Sequence, residues 1–539
     1  MSSDRIGLIG ILSLVSFSVF SSSCGFMKNG AYDDYIGPVH QQQTNDATPI
    51  DTKPLQVDET PTKPLLEGPI EVTIENAILL ALENNRSLSV ERLNPSILRT
   101  FEEQERAVFD PTITGSLSGS RERVEARSGT DNTSNRTAAD LGMYQFFPTG
   151  TTIGVDLSTA RTYSDLSSDQ HATRAGLSVT QALLRGVGIN VNLANLRQAK
   201  LDTLTSQYEF RGFAESIIAL VEETYWDYAL AQRQIEIFTV SLELAEQQLR
   251  ETEERIKIGK LAEIELAAAQ AEIALRRVAL INARNNLATT RLQLLRLMNP
   301  PGTGLWNRGI ILKDQPSVPD VRLDDIESHV AVALRMRPDL NQARLGVQRG
   351  DLEVTKTKNG RLPVMDVFIT LGKTGYADSF GGSVRDLGEG YDISGQISVV
   401  YPLRNLNARA RHKRAVLSRS QTVEAIENLA QLVQVDVRSA YIEVERAKEQ
   451  VAATASARKL QEEKLRAETE KFRVGRSTTL LVAQAQRDLV ASQISEIQAV
   501  VDYLKALVEL YRLEGSLLER RGISAPGREP VDLSIQRKW

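Results

Sequence analysis

Hydrophobic positions recur along this chain with two different periods. From Ile217 the apolar positions are Leu220, Val221, Tyr225, Tyr228, Ala231, Ile235, Phe238, Leu242, Ala245 and Leu249. Steps of mostly three and four form the seam of a coiled coil. No proline interrupts residues 190–256. The spacing therefore predicts one helix there, on the order of 100 Å long. Elsewhere the period is two. Tyr391, Ile393, Gly395, Ile397, Val399 and Tyr401 fall on one face, and Asp392, Ser394, Gln396 and Ser398 on the other. Ile113, Gly115, Leu117 and Gly119 likewise oppose Thr112, Thr114, Ser116, Ser118 and Ser120. Such alternation marks a sheet with one apolar and one polar face. Further strands are predicted over 140–147 and 151–158, around the turn Pro148-Thr149-Gly150, and over 175–184, 364–371 and 392–403. The polar stretches 128–137 and 163–173 and the glycine-rich 372–390 read as exposed loops. Shorter helices are expected over 73–109, capped by Thr73 and ended by Asp110-Pro111, and over 323–358, ended by Gly360 and Pro363.

The pattern occurs twice. Around Arg255 the chain reads Arg-Ile-Lys-Ile-Gly-Lys-Leu-Ala-Glu-Ile-Glu-Leu-Ala-Ala-Ala-Gln, and around Lys471 it reads Lys-Phe-Arg-Val-Gly-Arg-Ser-Thr-Thr-Leu-Leu-Val-Ala-Gln-Ala-Gln. Gly259 pairs with Gly475 at an offset of 216 (475 − 259), and the same offset joins Tyr225 to Tyr441 and Arg296-Leu297 to Arg512-Leu513. Two copies of one long helical hairpin follow, and a duplicated hairpin makes a wall or a tube more readily than a globular enzyme. Each hairpin turns at its glycine, where a positive φ is accessible. The expected segments are a leader over 1–23, a tether over 24–69, repeats over 70–298 and 323–515 joined by a linker over 299–322, and a tail over 516–539.

Composition narrows the picture. The 539 residues carry a net charge of −5, which gives no general reason to expect nucleic acid. Aromatics are only 5%, thin for a large globular core. The single cysteine, Cys24, excludes an internal disulfide. It follows Arg5, an apolar stretch over 6–20 and three serines, the layout of a secretory signal. Small residues before a lone cysteine point to an acylated lipoprotein start at Cys24, although Ser21 stands where leucine is usual. The proline-bearing polar residues 25–69 read as an extended tether. The four histidines are scattered, and there is no HExxH, P-loop, Gly-x-Ser-x-Gly or dinucleotide fingerprint. No catalytic residue, metal or cofactor is expected.

Over roughly residues 71–518 the chain resembles the TolC-type outer-membrane efflux family. The tandem duplication, the Arg/Lys-x-x-x-Gly turn with Leu-x-x-Ala-Gln after it in both copies, the alternating strands before each hairpin and the export signal carry the resemblance. It implies an α+β membrane protein. Long helical hairpins would form a coiled-coil tunnel, and strands from three chains would close one transmembrane β-barrel. It also implies a homotrimer, a periplasmic adaptor, an inner-membrane transporter and contact with outer-membrane lipid. The family normally supplies four strands per chain, and the extra strand pair of the first repeat departs from that.

The same resemblance assigns candidate site residues. The tunnel closes at its periplasmic tip. The family's aspartate ring is absent, because Leu481 and Gln484 stand at the matching positions, while Glu263 and Glu265 lie near the other tip. Leu481 is then an apolar plug and the glutamates set acidic selectivity; the plainer alternative gives Leu481 to a helix seam and the glutamates to solvent. The turns Gly259-Lys260-Leu261 and Gly475-Arg476-Ser477 would contact the adaptor, against the alternative of plain hairpin turns. The basic run Arg404, Arg409, Arg411, His412, Lys413 and Arg414 directly follows a predicted strand and is placed at anionic head groups or a solvated helix start. Tyr225, Trp226, Tyr228 and Tyr441 read as seam packing. The function expected is a passive exit duct for efflux or type I secretion. The rival is a secreted or surface coiled-coil scaffold without a pore.

Overall fold

In the computed structural model, residues 68–124, 132–164, 167–259, 261–302, 304–319 and 322–532 are described. Cys24, the leader and most of the tether lie outside the described residues, as does Lys260. Two units are distinguished by their internal packing.

The first unit is built on a six-stranded sheet. Strands β2 (Thr112–Val124), β3 (Asn132–Phe147), β4 (Thr151–Ser164), β5 (Ser167–Ala182), β7 (Val364–Ala377) and β8 (Gly390–Val400) lie in chain order, and every neighbouring pair is antiparallel. The strands are longer than the alternation predicts. Residues 132–137 belong to β3, 167–173 to β5 and 372–377 to β7, so two stretches expected as loops are largely sheet and the third begins as sheet. The extra strand pair of the first repeat is therefore no separate elaboration: β3 and β4 are ordinary members of the one sheet. A short helix, α9 (Phe380–Arg385), stands between β7 and β8; its Ser383 is buried, with Oγ 2.8 Å from Thr173 Oγ1. At the other end of the strands, Asn192 Nδ2 donates to the carbonyls of Pro148 (2.9 Å) and Gly186 (2.8 Å). Asn359 Oδ1 accepts from Gly186 N–H at 2.8 Å. A small core of Phe109, Leu193 and Leu196, with Phe146 and Ile189 packed on it, lies in this unit.

The second unit is helical, and the first also holds the helical stretches within residues 99–201 and 348–420. The expected helix over 73–109 is three helices: α1 (Ile74–Asn84), α2 (Arg86–Glu91) and α3 (Asn94–Ala107). Asn85 causes the first break, since its extended backbone ends α1 while its side chain accepts from Leu88 N–H at 3.0 Å to start α2. The helix over 323–358 also divides, into α7 (Ile326–Met336) and α8 (Pro338–Asn359), because a residue before proline disfavours the helical region and Arg337 is extended. After α4 (Ile189–Asn192), the long helices are α5 (Ala194–Lys257) and α6 (Ile264–Met298), then α10 (Leu406–Arg473) and α11 (Thr479–Leu513). A brief α12 (Leu517–Arg520) follows. Two short parallel strands, β1 (Ile70–Val72) and β6 (Ile310–Leu312), pair beside the core.

The largest core joins Ala77, Ile78 and Ala81 of α1 to Tyr225 and Trp226 of α5, Leu294, Leu295 and Met298 of α6, and Val501 and Val508 of α11. Tyr225 is fully buried, its hydroxyl 3.1 Å from the Val72 carbonyl and 3.2 Å from Asp314 Oδ2, and Tyr228 donates to the Ile310 carbonyl at 3.2 Å. Burial pushes the Tyr225 hydroxyl well above its usual range. These tyrosines pack and fasten, as their place on the helical stripe implies. A second core of Val433, Val437, Ala440, Val444 and Ala447 packs Tyr503, Leu507 and Leu510.

Candidate functional site

Side chains alternate across the sheet, with one fault in parity, at the end of the β4–β5 ladder where Ser164 pairs with Ser167 past a register shift. In β2, β3, β4, β5, β7 and β8 the apolar side chains Ile113, Leu117, Leu141, Val155, Leu157, Leu177, Ile369, Leu371, Ile393 and Ile397 are all odd-numbered, and away from that end every ladder pairs odd with odd. These residues are exposed, Leu117 by 80% and Ile393 by 70%. The opposite face carries Ser116, whose hydroxyl lies 3.0 Å from Asp140 Oδ2, and Thr370 beside Ser394 at 2.5 Å. A soluble sheet covers its apolar face with other elements. Here the apolar face is bare and the polar face is hydrogen-bonded, the arrangement of a wall between lipid and a water-filled lumen.

One ion cluster spans the polar face. Arg174 on β5 reaches Asp156 on β4 at 2.9 Å and Asp392 on β8 at 2.9 Å. It crosses β7 at Gly372, where a Cβ would come within 2.6 Å of the guanidinium. Glycine at 372 and at 176 lets the arginine lie flat against the wall.

The hairpin tips lie in the helical unit. Gly259 and Gly475 both have φ 74°. Gly475 N–H bonds to the Phe472 carbonyl at 3.1 Å and Arg476 N–H to the Lys471 carbonyl at 2.8 Å, the two bonds of a glycine helix stop; Gly259 N–H makes the equivalent bond to Ile256 at 2.8 Å. The next helices begin differently. Thr478 caps α11, its hydroxyl accepting from Leu481 N–H at 3.3 Å, and Ser477 donates to Glu468 at 2.8 Å. Glu263 at the head of α6 makes no capping bond.

Leu481, Gln484, Glu263 and Arg476 are exposed in the single chain, while Glu265, Leu261 and Ser477 are half-buried. The two tips are brought together: the Arg255 guanidinium lies 4.4 Å above the Phe472 ring, joining α5 to α10. Glu272 holds Arg276 at 2.6 Å and Arg487 at 3.0 Å, joining α6 to α11. The sequence reading missed this tie. Its signal was an acidic residue on the buried stripe between Ala269 and Ile273. Also missed was the apolar collar of Ile258, Ile264, Val474 and Leu480, all exposed beside the turns. The basic run 404–414 brackets the start of α10 and is mostly exposed. Among the described residues, no group of acidic, histidine or cysteine side chains is spaced to hold a metal, and no helix is long and apolar enough to cross a membrane.

An inverted sheet combined with tandem helical hairpins is the build of an outer-membrane channel protein. Solved channels share it. OprN aligns with a TM-score of 0.65 and 17% identity, over 82% of this chain and 90% of its own. CmeC of Campylobacter jejuni aligns at 0.61 and 16%, over 86% and 90%. The open state of Neisseria gonorrhoeae MtrE aligns at 0.60 and 19%, over 82% and 89%. The outer membrane efflux protein BepC of Brucella suis biovar 1 is 22% identical over 484 residues, 88% of this chain and 92% of that protein. Residues 77–300 and 330–516 match the outer membrane efflux protein family, and the chain belongs to it. Its location is therefore the outer membrane, and its family is one of efflux proteins rather than enzymes.

Proposed function

We propose that the chain is the passive exit duct of a tripartite efflux or type I secretion system, working as a homotrimer and carrying out no chemistry. The inverted sheet carries this reading, because an exposed apolar face opposite a hydrogen-bonded polar face is stable only with lipid on one side and water on the other. A coiled-coil scaffold in water has no use for it. An inner-membrane transporter supplies the energy, and a periplasmic adaptor couples the two. The adaptor contacts Gly259, Lys260, Leu261, Gly475, Arg476 and Ser477; the exposed collar around these turns supports that role. Leu481 and Gln484 line the closed tip, with Glu263 and Glu265 beside it. The ties Arg255–Phe472 and Glu272–Arg487 support a gate in which the two hairpins of a chain part or move together. Cys24 is the acylated anchor.

The test is conductance of the purified full chain in planar bilayers. The native protein should give small, infrequent openings, and Leu481→Ala should raise the open probability several-fold. Silence from both would overturn the duct.

A further inference from the structure

After α11 the chain crosses between the two repeats. It turns at Gly515, which has φ 71°. A Cβ there would lie 3.0 Å from Arg337 Cα and 3.1 Å from Arg337 N, so the backbone passes directly over the break between α7 and α8. The positive φ and the close approach both call for glycine. The Gly515 carbonyl accepts from Arg211 Nη2 of α5 at 3.2 Å, and Glu519 accepts from the same nitrogen at 2.6 Å. Leu517 and Leu518 are fully buried in the largest core, and Ile523 and Ala525 pack against it. Arg521 grips both carboxylate oxygens of Glu222 on α5, its Nε donating at 2.7 Å. Gly527 lies against Tyr208 of α5, where a Cβ would stand 3.1 Å from the ring. The Tyr208 hydroxyl donates to the Glu529 carbonyl.

At Asn341 the segment returns to the break. Val531 N–H donates to Asn341 Oδ1 at 2.9 Å. The same side chain, 1% exposed, donates from Nδ2 to the carbonyls of Arg335 and Arg337, each at 3.0 Å. Arg337 in turn reaches Asp436 of α10 at 2.9 Å. Residues 514–532 therefore meet the break twice, at Gly515 and at Val531, and lie along α5 in between. α5 belongs to the first repeat, and α7, α8 and α10 to the second. The contacts are costly to undo. Arg211 and Glu222 are wholly buried, and Arg521 is the ion partner of Glu222. A buried charge stripped of its partner is strongly destabilising.

We propose that residues 514–532 form a clasp that fastens α5 of the first repeat to the α7–α8 break of the second, so that the two repeats move as one block at that height. The clasp stands on these contacts alone; its bearing on gating rests on the duct reading. Any parting of the hairpins then takes place nearer the glycine turns, while the broken helix keeps its angle.

Coupling across the clasp is the test. Hydrogen exchange is followed by mass spectrometry on the purified full chain. Arg521→Gln disturbs the α5 side. It should speed exchange roughly tenfold in α5 residues 208–222 and also in α8 residues 338–345. Asn341→Ala disturbs the α8 side and should speed exchange in both stretches as well. Tyr208→Phe removes one hydroxyl and keeps the ring. It should give the same two-sided pattern at a smaller factor, and it decides the matter where a stronger variant fails to fold. Glu222→Gln combined with Arg521→Gln should restore most of the protection, because no enclosed charge is then left alone.

Faster exchange confined to the altered helix would overturn the clasp, as would unchanged exchange in all three single variants. Conductance of the same samples separates this failure from that of the duct. Two-sided coupling in a chain that never conducts keeps the clasp and removes its bearing on gating. A conducting chain with uncoupled helices keeps the duct and overturns the clasp.

Discussion

In the helical unit Leu295 is fully buried, and Arg211 is enclosed beside Glu215 at 3.3 Å and Glu519 at 2.6 Å. In the sheet Leu117 is 80% exposed, and Arg174 lies half-buried between two aspartates. The same residue types occupy opposite positions. The bundle hides leucine from water and must satisfy every charge it encloses. The sheet presents leucine outward because its outer solvent is hydrocarbon, and it keeps its charges where water reaches them. Burial within one chain is thus no measure of which positions matter in the sheet.

The sharpest break of this contrast is a matched pair of leucines. Leu295→Ala empties a packed core site and should cost about 2–5 kcal/mol, read as a fall in the unfolding midpoint in detergent. Leu117→Ala should leave that midpoint nearly unchanged, because few protein atoms surround it. Leu117→Arg should cost about 2–4 kcal/mol when folding into vesicles is measured, the range for a cation on a lipid-facing strand near the bilayer midplane. A large cost for Leu117→Ala in detergent would mean that the outer face packs against protein.

Enclosed charge offers a second contrast. Burial pushes the Glu215 carboxyl up to about 8; the Arg211 guanidinium opposes that rise and Glu519 reinforces it. The folded value lies above the ordinary 4.5. The stability this group contributes is therefore full below about pH 4.5 and is lost as the pH climbs through about 8. The native protein should melt lower at pH 8.5 than at pH 6, and Glu215→Gln should flatten that slope. If the slope survives unchanged, the pH response arises elsewhere. A smaller effect concerns how the helices finish their ends. Thr478→Ala removes the cap of α11 and should cost about 1 kcal/mol, whereas Glu263→Ala removes no cap from α6 and should cost almost nothing. Hydrogen exchange at the two tips would read the difference directly.

Much of the helical unit was legible because its signals are local. A glycine stop, the three-and-four spacing of the seam and a fixed offset all stand in the sequence. The breaks at Asn85 and Arg337 were written there too, in a capping asparagine and in the residue before Pro338. The sheet was harder. Residues 132–137 and 167–173 are polar and look like loops, yet they are strands. A strand across a membrane needs only about 9–11 residues in lipid, and β3 and β5 have 16 each. Beyond the lipid the apolar half of the alternation has no cause to persist. The tip contacts were partly hidden for another reason. Arg255 and Phe472 are 217 positions apart (472 − 255), and only folding sets the cation over the ring.

Arg174 lies along the wall, across Gly176 and Gly372, with both ends of its fork already engaged. In the duct proposed above, a passing anion would find the Arg174 guanidinium already paired, and a passing cation two carboxylates already shared. The surface offers little to grip. In that proposed duct a molecule drifting past would have a short residence there, so throughput at that height would be governed by diffusion rather than by release from a binding site.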